Sequence, residues 1–285
     1  MRYQFLRYPE GKDKAVTLSY DDGCHQDIRF ADTISAYGLK CTFNLNSDEL
    51  KGEKALSTET VKTHFLDQGH EIAIHGYFHR AEGALRPIEG IQDVLNCRLE
   101  LERKYGTIIR GMAYPDSGIT RFHNGADYDS IKAYLTHLDI AYCRTLGGDN
   151  TDFMLPTDWH RWMPTAHHTN SLLMEWIDKF LSLELSSLYK ASQYPRLFYL
   201  WGHAYEFDHN DNWELLDQIG EKLGGKDDIW YATNMEIYEY VTAYELLIYS
   251  ADGTRIYNPT LFTLLFERDQ KLYTIQPGET LEVTK

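Results

Sequence analysis

Polar side chains of one chemical kind stand where apolar runs stop. The run 15–20 (AVTLSY) ends in Asp21-Asp22-Gly23, and the run 71–75 (EIAIH) ends on His75, followed by Gly76-Tyr77-Phe78-His79. The run 108–114 ends in Tyr114-Pro115-Asp116, and 197–201 (LFYLW) ends in Gly202-His203. Two adjacent carboxylates resist ionising together unless a cation lies near them. One of the pair therefore suits a metal ligand and the other a base that takes a proton from water. A carboxylate, two imidazoles and a water form a common catalytic zinc sphere with one open position. Such a metal lowers the pKa of its water to about 7 and polarises a carbonyl, which is the chemistry of acyl hydrolysis. His203 then suits a general acid that protonates the leaving amine or alkoxide. Tyr199, Trp201 and Tyr205 around it either pack or form a wall for a sugar ring. Taken singly, each cluster has a plainer reading, because Asp-Gly is ordinary turn chemistry and histidines near apolar runs are often filler. Four such clusters on one face outweigh that reading.

Something must hold these strand ends together. Strands are expected over 15–20, 40–45, 71–75, 108–114, 140–145, 197–201 and 228–233, with a weaker one over 162–166 that Pro164 interrupts. Helices are expected between them, over 27–37, 58–67 (capped by Ser57), 88–104, 127–136, 171–185, 213–223 and 235–243. Strand alternating with helix means a mostly parallel sheet covered on both faces. About seven such units favour a barrel-like closure, with function at the C-terminal strand ends. The division expected is a barrel over 1–249 and a small β appendage over 250–285, where strand-like alternation replaces the helical period. There is no Gly-x-Gly-x-x-Gly or Walker loop to support nucleotide binding.

Composition narrows the partners. The chain has 285 residues, 43% of them hydrophobic, enough for one large core plus an appendage. Its formal net charge of −15 repels phosphate backbones and anionic membranes, so neither nucleic acid nor membrane is an expected partner. Cys24, Cys41, Cys97 and Cys143 form no Cys-x-x-Cys pair and read as free thiols. The N-terminal stretch lacks the apolar core of a signal peptide, so a cytoplasmic location is expected. The oligomeric state is left open.

Together the motifs resemble the NodB-homology polysaccharide deacetylases, carbohydrate esterase family 4. Thr17-Leu-Ser-Tyr-Asp-Asp-Gly23 is similar to the first motif of that family, His75-Gly-Tyr-Phe-His79 to the second, and Leu200-Trp-Gly-His203 to the last, over roughly 14–245. The resemblance implies a distorted (β/α) barrel, often of seven strands, acting on an acetylated saccharide. It implies Asp22, His75 and His79 as metal ligands, Asp21 as general base and His203 as general acid. It implies Zn2+ as the usual cofactor, with Co2+, Ni2+ or Fe2+ as other divalent choices.

The middle motifs depart from the family. Its third motif carries an Arg before Pro-Pro-Tyr-Gly; here the stretch is Met112-Ala-Tyr-Pro-Asp-Ser-Gly118, and Ala113 stands at the Arg position. Arg144 is the expected replacement partner for the catalytic base, with Arg110 less well placed. The backbone N–H groups from Tyr114 to Asp116 are the candidate oxyanion donors. Asp158-Trp159 matches the fourth motif or is a surface loop, and His160, His167 and His168 have no assignment. Two alternatives stand beside the deacetylase reading. One is a hydrolase of a non-sugar amide on the same fold. The other is a catalytically inactive carbohydrate-binding protein, against which the intact Asp21, Asp22, His75, His79 and His203 set argues.

Overall fold

The run that ends in the Asp pair is buried along its whole length and becomes the central strand. The computed structural model describes residues 3–47, 50–147 and 150–283. In chain order its strands are β1 (Gln4–Arg7), β2 (Lys14–Asp21), β3 (Cys41–Leu45), β4 (Glu71–Ile74), β5 (Gly111–Ala113), β6 (Tyr142–Arg144), β7 (Ala166–His167), β8 (Arg196–Gly202), β9 (Ile229–Tyr231), β10 (Ile248–Tyr249), β11 (Arg255–Tyr257), β12 (Leu264–Arg268), β13 (Lys271–Ile275) and β14 (Thr280–Glu282). The α-helices are α1 (Gln26–Ala36), α2 (Thr58–Val61), α3 (Pro87–Tyr105), α4 (Tyr128–His137), α5 (Leu173–Leu181), α6 (Tyr205–His209), α7 (Glu214–Leu223) and α8 (Asn234–Glu245).

The main sheet runs β6-β5-β4-β3-β2-β8-β7, every pairing parallel, with β9 against the first half of β2. It is the expected distorted (β/α) barrel. The distortion has a visible cause at 162–167. Trp162 makes one parallel bridge to Arg144, and Ala166–His167 pairs with β8, so one segment touches both edges of the sheet. Pro164 lies between, and a residue without an N–H cannot continue the ladder.

Register levels the functional rim. Asp21 pairs with Asn44, Tyr20 with Gly202 and Leu45 with Ile74, so the ends of β2, β3, β4 and β8 finish side by side. Helix bounds differ from expectation where local geometry intervenes. The expected helix 58–67 starts under its Ser57 cap but widens into a π turn at Lys62–Leu66, where Asp67 N–H reaches the Lys62 carbonyl at 2.8 Å. The expected helix 171–185 is regular only over Leu173–Leu181.

Two apolar clusters hold the molecule. One lies between the sheet and its helices and includes Phe30, Phe43, Phe65 and Phe198. The other joins the N-terminal end of the barrel to α8 and the C-terminal strands, through Tyr142, Trp162, Tyr199, Ile237, Ile256, Leu264 and Phe266. Those strands form two antiparallel sheets, β10-β11-β14 and β1-β12-β13, so the N-terminal strand is stitched to the C-terminal segment. Among the described residues no helix is long and apolar enough to cross a membrane.

Candidate metal centre and active site

Asp22 leaves β2 with a φ of 81°, a left-handed conformation that costs an L residue roughly 1 kcal/mol or more. Its backbone N–H donates to the Asn44 carbonyl at 3.0 Å, and Asn46 Nδ2 donates to its Oδ1 at 3.2 Å, so the strained turn is held from β3. His75 continues β4 and is buried. Its Nδ1 meets the Ala113 carbonyl at 2.9 Å, which places the proton on Nδ1 and leaves Nε2 as the free ligand atom. The turn after it requires glycine: Gly76 has φ 80°, and a Cβ there would stand 2.9 Å from Asp93 Oδ2 and 3.0 Å from Pro115 Cγ. Asp93, from α3, accepts from Tyr77 N at 2.7 Å and Phe78 N at 2.9 Å and so shapes the loop that returns His79.

The result is a convergence. Asp22 Oδ1 lies 3.6 Å from His75 Nε2 and 3.4 Å from His79 Nε2. All three donor atoms fall within 4.8 Å of one another. One carboxylate and two imidazoles at that spacing fit a single divalent cation with open positions left over.

Asp21, next to it, is fully buried. Its Oδ2 is paired with the buried Arg144 guanidinium, its Oδ1 accepts from Asn44 Nδ2 at 2.8 Å, and His75 Nε2 is 3.8 Å away. Burial pushes the Asp21 carboxyl up, but the charges of Arg144, His75 and His203 outweigh it and hold the group below its ordinary value. Arg144 lies over the Trp201 ring at 4.4 Å, which fixes its plane. Arg110, the other arginine considered for this role, pairs instead with Asp139 at the surface, at 2.8 Å.

His203 faces the pair from the end of β8, its Nε2 4.0 Å from both Asp21 Oδ2 and Asp22 Oδ2. Its Nδ1 lies 3.3 Å from Glu206 Oε2, and its backbone N–H donates to the same oxygen at 3.2 Å. Burial pulls the His203 ring down; Glu206 and the two aspartates outweigh that and leave it above its ordinary value. Glu206 was not singled out in the sequence. The signal for it was a carboxylate three residues after a strand-end histidine, at the start of a short helix.

These groups line a cleft of about 460 Å³, with Asp116 and Tyr205 at its walls. Ser117, Thr120 and Leu146 also line a neighbouring groove of about 590 Å³ bordered by Met154, Pro156 and Met163. Two expectations need correction or relocation. The Tyr114 N–H is spent on the Arg144 carbonyl at 3.0 Å and its ring is fully buried, so it is not a free oxyanion donor; of that stretch Asp116 reaches the cleft. Asp158 caps a 3-10 turn, accepts from Tyr128 and Lys132, and borders the groove rather than the metal cluster. His160 is tied to the Ile140 carbonyl at 2.9 Å. Burial pushes the Cys24 thiol up to about 12, so it is no nucleophile at neutral pH.

The family described as polysaccharide deacetylase matches residues 8–126, the segment that carries Asp21, Asp22, His75 and His79. Solved polysaccharide deacetylase structures share its fold. One, from Mycobacterium smegmatis, aligns at 14% identity over 86% of this chain and 96% of the other, with a TM-score of 0.51. A peptidoglycan deacetylase from Bacillus subtilis aligns at 13% identity over 82% of this chain and 94% of its own, with a TM-score of 0.50. Against a Streptococcus pyogenes deacetylase in complex with acetate the match is partial: 16% identity, 46% of this chain, about half (55%) of that one, TM-score 0.40. No curated protein matches the chain.

Proposed function

We propose that this chain is a divalent-metal-dependent hydrolase that removes N- or O-acetyl groups from a carbohydrate. The observation that carries the reading is the meeting of Asp22, His75 and His79 around one point, with the paired Asp21 on one side and His203 on the other. Asp22, His75 and His79 would hold the ion. When bound, a divalent cation supplies Lewis acidity to the scissile carbonyl and makes a water acidic enough to attack at neutral pH.

The protein supplies the rest. Asp21, kept ionised by Arg144, takes the proton from the attacking water at a carboxylate oxygen. The backbone N–H at Asp116 is the remaining candidate donor to the developing oxyanion. His203 donates its Nε2 proton to the departing nitrogen or oxygen, with Glu206 Oε2 3.3 Å from its Nδ1 and bonded to its backbone N–H. Donor type does not decide between Zn2+ and Co2+, Ni2+ or Fe2+.

A second reading has one observation behind it. The groove beside the cleft has an aliphatic stretch of Met154, Leu155, Pro156 and Met163 among polar residues such as Asn150, Thr157 and Arg161, with Tyr114 as its aromatic. That suits a non-sugar amide better than a stacked polymer. Acetate release from N-acetylglucosamine oligomers, acetylated xylan and simple amides, with and without chelator, tests both. Metal-dependent acetate from a saccharide supports the first reading, turnover of simple amides alone supports the second, and no turnover of any substrate with metal fully bound contradicts both.

A further inference from the structure

Behind His203 lies a second group of metal-type donors. Glu206 Oε2 is surrounded by three imidazole nitrogens: His167 Nε2 at 3.2 Å, His203 Nδ1 at 3.3 Å and His168 Nε2 at 3.4 Å. His167, His203 and Glu206 offer ligand atoms all within 4.8 Å of one another, as compact as the Asp22 cluster.

The crowding is unusual in its bonding. One carboxylate oxygen cannot serve three ring nitrogens and the His203 backbone N–H with good geometry, and two of the three are left over. His203 Nδ1 and His168 Nε2 are buried atoms without a hydrogen-bond partner, and His168 is only 1% exposed. Unpaired buried nitrogens of this kind destabilise a fold and call for an explanation. The rings are also held from outside. His167 Nδ1 meets Thr169 Oγ1 at 2.7 Å and accepts the Thr169 N–H at 3.2 Å, leaving Nε2 turned to the glutamate, and His168 Nδ1 lies 3.3 Å from the Tyr20 hydroxyl. A Cβ at Gly202 would collide with the His168 ring, so β8 comes close enough to seat it only because that residue is glycine. Fixed imidazoles with outer hydrogen-bond partners are the usual surroundings of a transition-metal ligand set.

We propose that His167, His203 and Glu206 form a second divalent-cation site, with His168 as an adjoining ligand, selective for an ion that favours imidazole, such as Zn2+ or Co2+. The three principal ligands are half-buried, and of them His203 also lines the cleft. An ion on His203 Nδ1 leaves a neutral ring whose Nε2–H is a far weaker acid than imidazolium. If His203 is the general acid proposed above, the second ion therefore inhibits; its binding does not depend on that reading.

The test is a Co2+ titration of the metal-free full-length protein, followed by the visible absorption of the ion and by equivalents bound. The wild type takes two equivalents. Asp22→Ala takes one and His167→Ala takes one, with different spectra, and Glu206→Gln repeats the His167→Ala loss should that variant fold poorly. On activity, the second equivalent of Zn2+ slows acetate release by roughly 10²-fold, the scale of a lost general acid, and His167→Ala escapes that inhibition. Two equivalents in both His167→Ala and Glu206→Gln, or a single equivalent in the wild type that Asp22→Ala removes, overturns the second site. One equivalent in the wild type that His167→Ala removes and Asp22→Ala retains supports it while contradicting the first.

Discussion

The two ends of the barrel bury polar groups in opposite ways. At the N-terminal end the Glu71 and Asn234 side chains are fully answered, the Tyr8 hydroxyl and Trp162 Nε1 being buried exceptions there. Glu71 accepts from Tyr142 Oη at 2.6 Å, Thr42 Oγ1 at 2.7 Å and Met235 N at 2.9 Å. Asn234 accepts from Thr17, donates to Tyr199 at 2.5 Å and gives its N–H to Thr42. The C-terminal rim holds Asp22, His79 and Asp116 in left-handed backbone, as Glu10 and Phe153 are held elsewhere, and leaves His203 Nδ1 and His168 Nε2 unpaired. Buried polar groups with full hydrogen bonding stiffen a fold; strain and unmet valence gathered at one place mark a site that awaits a ligand. The first end should govern stability and the second activity.

The largest effect that tests this division is on the rim. His203→Ala should lower acetate release by roughly 10²–10⁴-fold while the melting temperature stays close to wild type. A fall in melting temperature that accounts for the lost activity would erase the contrast. Arg144→Met sharpens it, because Arg144 is the rim residue that also supports the fold. It leaves the Asp21 charge buried and unpaired, which should cost about 3–5 kcal/mol by denaturant unfolding as well as activity.

The opposite end supplies the next two. His70 begins the run into β4; its Nδ1 accepts from Cys41 N at 3.2 Å and its Nε2 meets Ser35 Oγ at 2.9 Å, a bonding pattern of the neutral ring. Burial, with Lys40 nearby, lowers it from 6.5 to about 4. The unfolded chain takes up this proton below 6.5 and the folded one only near 4, so stability is present above pH 6.5 and lost as pH falls through that window. The loss reaches about 3 kcal/mol, and the stability gap between wild type and His70→Gln should close by that amount between pH 7 and pH 4. A constant gap would mean that the ring is protonated in the fold. The smallest effect is Thr42→Val, which removes one hydroxyl from the Glu71 network. It should cost about 1–2 kcal/mol and leave the kcat of the folded enzyme unchanged; a change in kcat would show that the two ends are not separable.

The chemistry was legible where residue type and strand end coincided. Asp21, Asp22, His75, His79 and His203 each follow an apolar run, and register brings the runs level. What escaped was chemistry supplied from the side. Asp93 sits mid-helix in α3, where a carboxylate reads as solvent-facing, yet it clamps the His79 loop. Glu206 opens a helix of one turn, too short to announce a periodicity. Arg144 could be named as a partner for Asp21 only as a replacement for a missing residue, because its position depends on how β6 lies against β5. In the fold, the parallel order followed from alternation. The pairing of Gln4 with Arg268 did not, since a contact across the whole chain leaves no local trace.

The central claim is that Asp22, His75 and His79 hold one catalytic cation. The direct measurement is the metal-to-protein ratio of purified wild type and Asp22→Ala, taken together with acetate release. The account predicts that the variant loses one full equivalent and its activity while remaining folded. Equal metal content in the two proteins would remove Asp22 from the coordination sphere and contradict it.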